Sequence, residues 1–361
     1  MMRDGIFSSG MLEKALAEGV IKLAQPTAAR QVQPASLDLR LGQRCWRMRA
    51  SFLPAPGGKV MDRVTSLALH EIDLTKGAVL ETGCVYIVEL LESLALPSDI
   101  AAAANPKSST GRVDVFTRVL SDGGSFDTIA AGYHGPLYAE ISPRTFPVLV
   151  RTGSRLSQLR LRRGSVRLSD DELLTLHQQD KLTSRLDATV AGGIGISVDL
   201  STLSTGGFIG YRGKRHTGLV DMDRVGVYPV HDFWEKVHTD ERGALVLDPG
   251  EFYILASKEA VHVPPDYAAE MVPFDPLVGE FRVHYAGFFD PGFGHSAAGG
   301  SGSRAVLEVR SHDVPFVIED GQVVGRLVYE RMAERPAVLY GEDLKSNYQA
   351  QGLKLSKHFV I

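Results

Sequence analysis

Residues 79–103 read VLETGCVYIVELLESLALPSDIAAA, and residues 246–270 read VLDPGEFYILASKEAVHVPPDYAAE. Gly83, Tyr86, Pro97 and Asp99 fall on Gly250, Tyr253, Pro264 and Asp266, each pair 167 residues apart. Further along, Glu140, Pro147, Gly153 and Leu159 fall on Glu308, Pro315, Gly321 and Leu327, now 168 apart. ASLDLRL at 35–41 has a weaker echo in ISVDLST at 196–202. An offset kept over this many positions marks two copies of one unit of roughly 150–180 residues.

The apolar runs inside each copy are short and bounded by turn residues: VYIVELL at 85–91, PVLVRTG at 147–153, AVLEVRS at 305–311. With 37 glycines in the chain, this spacing favours an all-β sandwich or barrel over a parallel α/β sheet. Helical patterns are few, chiefly MLEKALAEGVIKL at 11–23 and DDELLTLHQQ at 170–179. The expected organisation is a β domain over 1–165, a helical linker over 166–187 and a second β domain over 188–361.

Composition excludes several classes. The chain of 361 residues is 44% hydrophobic and 23% charged, as an ordinary globular protein is. A net charge of -4 advertises no nucleic-acid partner. The basic run Arg160-Leu161-Arg162-Arg163 reads as a solvated strand end. No apolar run is long enough for a membrane span, and no signal peptide is apparent, which places the expected location in the cytoplasm. Cys45 and Cys84 form neither a metal-ligand pair nor a disulfide framework.

NPKSSTGR at 105–112 sets two cations around adjacent hydroxyls. Such residues populate plain turns, yet they also match a phosphate, since hydroxyls and loop N–H groups donate to its oxygens while lysine and arginine offset its charge. It is not a Walker A loop, lacking the Gly-Lys-Ser/Thr ending.

Four segments together, QPASLDLRLG at 33–42, KSSTGR at 107–112, GYHGPLYAE at 132–140 and YGEDLKSNYQAQG at 340–352, resemble the dCTP deaminases of the dUTPase-like superfamily, in a long form with tandem repeats. The resemblance implies two tandem β-barrel or jelly-roll domains with a few short helices, active sites between subunits, and hence a homo-oligomer. It implies phosphate contacts from Lys107, Ser108, Ser109 and Arg112. Glu140 is implied as general base, Arg112 as the arginine that reaches the neighbouring subunit's base site near its glutamate, and Tyr133 as an aromatic against deoxyribose. Tyr340 and Gln351 take the contact positions of a closing C-terminal segment. Ser36, Asp38 and Arg40 read as structural.

The implied reaction is hydrolytic deamination of dCTP to dUTP and ammonia. Zinc-dependent nucleobase deaminases hold their metal with a His and a Pro-Cys-x-x-Cys pair; here the two cysteines lie 39 positions apart, which points to a zinc-independent route. Magnesium is expected with the triphosphate, bound mainly by substrate oxygens and water. A bifunctional enzyme that also cleaves dUTP and a non-catalytic nucleotide sensor are the rival readings. The motifs are divided unevenly: the first copy has Ala130-Ala131 where the family has Asp-Pro, whereas the second keeps Asp290-Pro291-Gly292-Phe293 but reads PFDPLVG, with Asp275, at its loop position. Whether a site combines parts of both copies stays open at this level. The intact loop assigns catalysis to the first copy and Glu140, leaving Glu308 dispensable.

Overall fold

A computed structural model describes residues 3–360 apart from 186, 203–205, 273–280, 285–286, 312 and 342–351; for 281–284 the backbone alone is described. The fold is mainly β. The first repeat packs a sheet built around Ile100–Pro106 and Ser157–Arg163 against a larger one containing Leu41–Met48, Val85–Ala95, Val115–Ser121 and His134–Pro143. The second repeats the plan, with Tyr267–Val272 and Val323–Arg331 in one sheet and Gly210–Gly213, Phe252–Val261 and Ser303–Ser311 in the other. Alternation drives this packing: in His134–Pro143, Leu137, Ala139 and Ile141 point into the core and Tyr138 and Glu140 point to the other face.

The N-terminal helix is shorter than its pattern suggests. It spans Ser9–Ala17, capped by the Ser8 hydroxyl, which accepts from the Met11 amide. Gly19, at φ +73°, turns the chain, and Ile21–Leu23 pairs as a strand with Leu94, Ser93 and Glu92. The expected interdomain helix spans Asp170–Asp180, opens on a Ser169/Glu172 capping box and buries Leu173 and Leu176 in the second core. Among the described residues, no helix is long and apolar enough to cross a membrane.

The two repeats are joined by more than a linker. Residues 214–233 of the second repeat reach across the first, where Val220–Asp221 pairs in parallel with Val148–Leu149 and Asp221 takes both guanidinium nitrogens of Arg151 at 2.7 Å. Phe146 of the first repeat packs edge-on against Phe233 and Trp234 of the second. Tyr211, Phe252, Ile254 and Leu355 bury into the first repeat's own core. Arg160 corrects the reading of a solvated strand end. It is 1% exposed, bonds to the Ala269 and Phe289 carbonyls and to Asp290 at 3.0–3.1 Å, and lies over the Phe288 ring. A guanidinium can be buried in this way because carbonyls, a carboxylate and a ring face replace its water.

The main asymmetry is an arm. In the first repeat, residues 49–67 include the helix Val60–Leu67, which covers the outer face of the larger sheet: Val60 and Val64 pack with Trp46, Ile87, Leu120 and Tyr138. The equivalent face of the second repeat is covered by the first repeat instead.

Candidate active site

The phosphate-loop candidate starts where strand Ile100–Pro106 ends. Lys107 has extended geometry, and Ser108–Gly111 makes one helical turn in which the Thr110 and Gly111 amides bond to the Lys107 carbonyl. Ser109 and Arg112 are 5% and 4% exposed. Lys107 is ion-paired with Asp38, whose other oxygen lies 3.5 Å from Arg155. Asp38 therefore holds the loop's leading cation, a larger part than bracing a barrel edge. Arg40, by contrast, is structural, closing a buried ion pair with Glu92 at 2.7 Å.

Arg112 points toward the second repeat. Its Nη1 donates to the Lys354 carbonyl at 3.0 Å, and its charge acts on Glu308. Glu308 sits in strand Ser303–Ser311, opposite Ile254. It is 4% exposed, and its Oε2 accepts no hydrogen bond among the described residues. Burial pushes its carboxyl well above the usual carboxylate range; Arg112 pulls it back and Asp114 adds to the rise. Asp290, in the retained Asp-Pro-Gly-Phe segment, is within electrostatic reach of Lys107.

The C-terminal segment closes over the loop. The Ser356 hydroxyl donates to the Ser109 carbonyl at 2.8 Å, and Lys357 is held below the usual lysine range, first by burial and then by the charge of Lys107. Tyr340 donates its amide to the Pro291 carbonyl at 2.8 Å and lays its ring 5.6 Å from that of Phe293. Gln351 lies outside the described residues.

Glu140 is placed elsewhere. The Ser51 hydroxyl donates to its Oε2 at 2.7 Å, the Phe52 amide also bonds to it, and Arg118 and Arg144 supply the nearby positive charge. Burial raises its carboxyl as well, but arm residues 51–52 cover it. Asp127, pushed up to about 7 by burial, accepts from the Val119 amide in the same repeat. Tyr133 uses its hydroxyl locally, donating to the Pro136 carbonyl and accepting from the Asp122 amide. Of the residues singled out by sequence, the structure gathers Lys107, Ser108, Ser109 and Arg112 in one loop and sets Arg112 against Glu308. It leaves Glu140 and Tyr133 among side chains of their own repeat. The assignment of Glu140 as partner to this loop therefore differs from the geometry, because the arm occupies the face that Glu140 presents.

Comparison with known proteins bears on this arrangement. The model of the 2'-deoxycytidine 5'-triphosphate deaminase N-terminal domain matches residues 3–165, and that of the C-terminal domain matches residues 169–359. The chain belongs to the dCTP deaminase family. Among its relatives, the dCTP deaminase of Halorubrum lacusprofundi is 31% identical over 161 residues, 43% of this chain and 75% of that one. The dUMP-forming dCTP deaminase of Kocuria rhizophila is 30% identical over 155 residues, 43% and 77% of the two chains. The crystal structure of the 2'-deoxycytidine 5'-triphosphate deaminase from Agrobacterium tumefaciens superposes with a TM-score of 0.87 at 59% identity, covering 92% of this chain and 99% of that one. As a member of that family the chain is a hydrolytic enzyme with a nucleotide substrate. Two features of this arrangement escaped the sequence reading, the electrostatic reach of Arg112 to Glu308 and the contribution of residues 354–357. A signal for the first was present, since each repeat retains the motif that the other has lost.

Proposed function

We propose that the chain hydrolyses dCTP to dUTP and ammonia at a site shared between its repeats, with Glu308 as general base and Arg112 as its cationic partner. The observation that carries this reading is the burial of Arg112 and of Glu308, within electrostatic reach of each other across the repeat boundary, with a Glu308 carboxylate oxygen that accepts no hydrogen bond among the described residues. The carboxylate takes one proton from the water that attacks C4 of cytosine and passes it to the ring nitrogen, then carries the remaining hydroxyl proton to the amino group, which leaves as ammonia as the C4 carbonyl forms. Burial raises its pKa well above the usual carboxylate range, which makes the ionised form a stronger base toward that water than an exposed carboxylate would be. Lys107, Ser108 and Ser109 bind the triphosphate, with Lys357 close by. The loop offers cations and hydroxyls rather than carboxylates, and no cluster of three metal-ligating side chains occurs among the described residues; magnesium is accordingly treated as part of the substrate, held by phosphate oxygens and water. The route is read as zinc-independent, in a cytoplasmic homo-oligomer.

A second reading adds cleavage of dUTP to dUMP and pyrophosphate. The name of the Kocuria rhizophila relative, a dUMP-forming dCTP deaminase, favours testing it. One assay addresses both readings: ammonia and pyrophosphate are measured from dCTP with the parent, Glu308→Gln and Glu140→Gln. Ammonia alone from the parent supports simple deamination, and equimolar pyrophosphate supports the bifunctional reading. Glu308→Gln should lose at least about 100-fold in ammonia release, the scale of a lost general base, while Glu140→Gln keeps most activity. The opposite pattern would return catalysis to the first repeat.

A further inference from the structure

Two residues beyond Arg112 the chain carries Asp114, and two beyond Glu308 it carries Arg310. Glu308 and Arg310 share one face of their strand. Asp114 is 1% exposed and adopts φ +56°, a left-handed backbone uncommon outside glycine, asparagine and aspartate. Its Oδ2 accepts from Arg310 Nη2 and, at 2.5 Å, from the Thr145 hydroxyl. Arg310 Nη2 also donates to Thr145 Oγ1 at 3.0 Å, and Nη1 donates to the Gly250 carbonyl. The boundary between the repeats is therefore crossed by an ion pair, Asp114 to Arg310, beside an electrostatic contact of opposite polarity, Arg112 to Glu308.

We propose that Asp114 and Arg310 are positioning residues for the deamination, an ion pair that fixes the phosphate loop in register on the Glu308 strand so that Arg112 faces that carboxylate. The proposal rests on Glu308 being the general base. Asp114 ends the same turn that delivers Arg112: its amide bonds to the Gly111 carbonyl, and its own carbonyl accepts from the Arg144 amide. Movement of Asp114 would carry Arg112 with it. The pair also sets the local field. Arg112 and Asp114 act on Glu308 from the loop, Arg310 stands two residues along on its own strand, and the backbone register sets Ile254 on one side of Glu308 and residue His284 on the other. Of these, Asp114 opposes ionisation of Glu308, and Arg310 neutralises Asp114.

The two halves of the pair should therefore move catalysis in opposite directions. Ammonia release from dCTP is followed against pH for the parent, Asp114→Asn, Arg310→Met, Arg310→Lys and the double variant Asp114→Asn/Arg310→Met. Removing the aspartate charge makes Glu308 easier to ionise, so the acid limb of kcat/KM should fall by up to about one pH unit in Asp114→Asn. Removing the arginine charge leaves Asp114 uncompensated, so the limb should rise by a similar amount in Arg310→Met. The double variant should return close to the parent limb with a lower kcat, and Arg310→Lys should keep the parent limb. A simple staple between repeats would lower thermal stability in both single variants and leave the limb in place; that result, or shifts of the same sign, overturns the proposal. If Arg310→Met does not fold, an unmoved limb in Asp114→Asn overturns it alone. A parent that releases no ammonia would instead refute the functional reading on which the proposal stands.

Discussion

Glu308 is a carboxyl group shut away from water, with one oxygen that accepts no hydrogen bond among the described residues, and this has a thermodynamic sign. Its pKa in the folded chain lies well above the ordinary value of 4.5, so the native state holds its proton more tightly than the unfolded chain does. That contribution to stability is complete below the ordinary carboxylate range and is lost as pH rises from there through the folded value. Glu308→Gln removes the charge and keeps the shape. The variant should melt at a higher temperature than the parent in mildly alkaline buffer, with the gap closing as the buffer is taken down into the carboxylate range. Calorimetry at a series of pH values measures this directly. A variant less stable than the parent at every pH would mean that the ionised carboxylate is well paired. With the expected outcome, Glu308 resembles many catalytic groups in costing its fold something.

At the scale of an element, the C-terminal segment departs most from its expected character. A mobile closing tail should affect turnover and leave stability alone, but residues 352–360 are also built into the fold. Leu355 is 7% exposed within the first core, His358 is fully buried, and Phe359–Val360 pairs in parallel with Tyr228–Pro229. Phe359 also stacks among Phe146, Phe233 and Trp234. Two substitutions separate the roles. Leu355→Ala should cost about 2–5 kcal/mol of stability through the cavity it leaves. Ser356→Ala deletes only the bond to the Ser109 carbonyl, and should lower turnover while costing about 1 kcal/mol. Denaturant melts and initial rates on both proteins measure the outcome; if Ser356→Ala turned over normally, the segment would be a staple and not a closure.

For the whole molecule, Glu140 lies under its own arm and the second loop position carries Asp275 in place of a hydroxyl, so one complete site is expected per chain. Equilibrium dialysis with dCTP and Glu308→Gln should give about one nucleotide bound per chain; two would show that the first repeat's glutamate also belongs to a working site. The duplication, its β character and the phosphate loop were legible in the sequence because each is written in contiguous residues or in a fixed offset. Which glutamate lies within reach of Arg112 was not, because it depends on which strand comes up to the loop across the repeat boundary. Nothing local to PLYAEIS or AVLEVRS encodes that. The covering of Glu140 was equally hidden, since residues 49–67 carry no motif and act only through where Ser51 and Val60 come to rest. Arg160 misled for the same reason: a short basic run looks solvated until a second domain closes over it.

Asp221, Arg151, Phe146 and Trp234 hold together, within a single polypeptide, the repeat that carries the Arg112 loop and the repeat that carries Glu308. In a site built between separate chains, the loop and the base part company on dilution. Here they are tethered, and each sees the other at a local concentration that solution conditions do not change. Specific activity should accordingly hold constant down to the lowest protein levels that can be assayed, whatever larger assembly the chains form at higher ones. The same tether makes each half's loss of the other's motif harmless only while the halves stay joined, so a cut between them would disable both together.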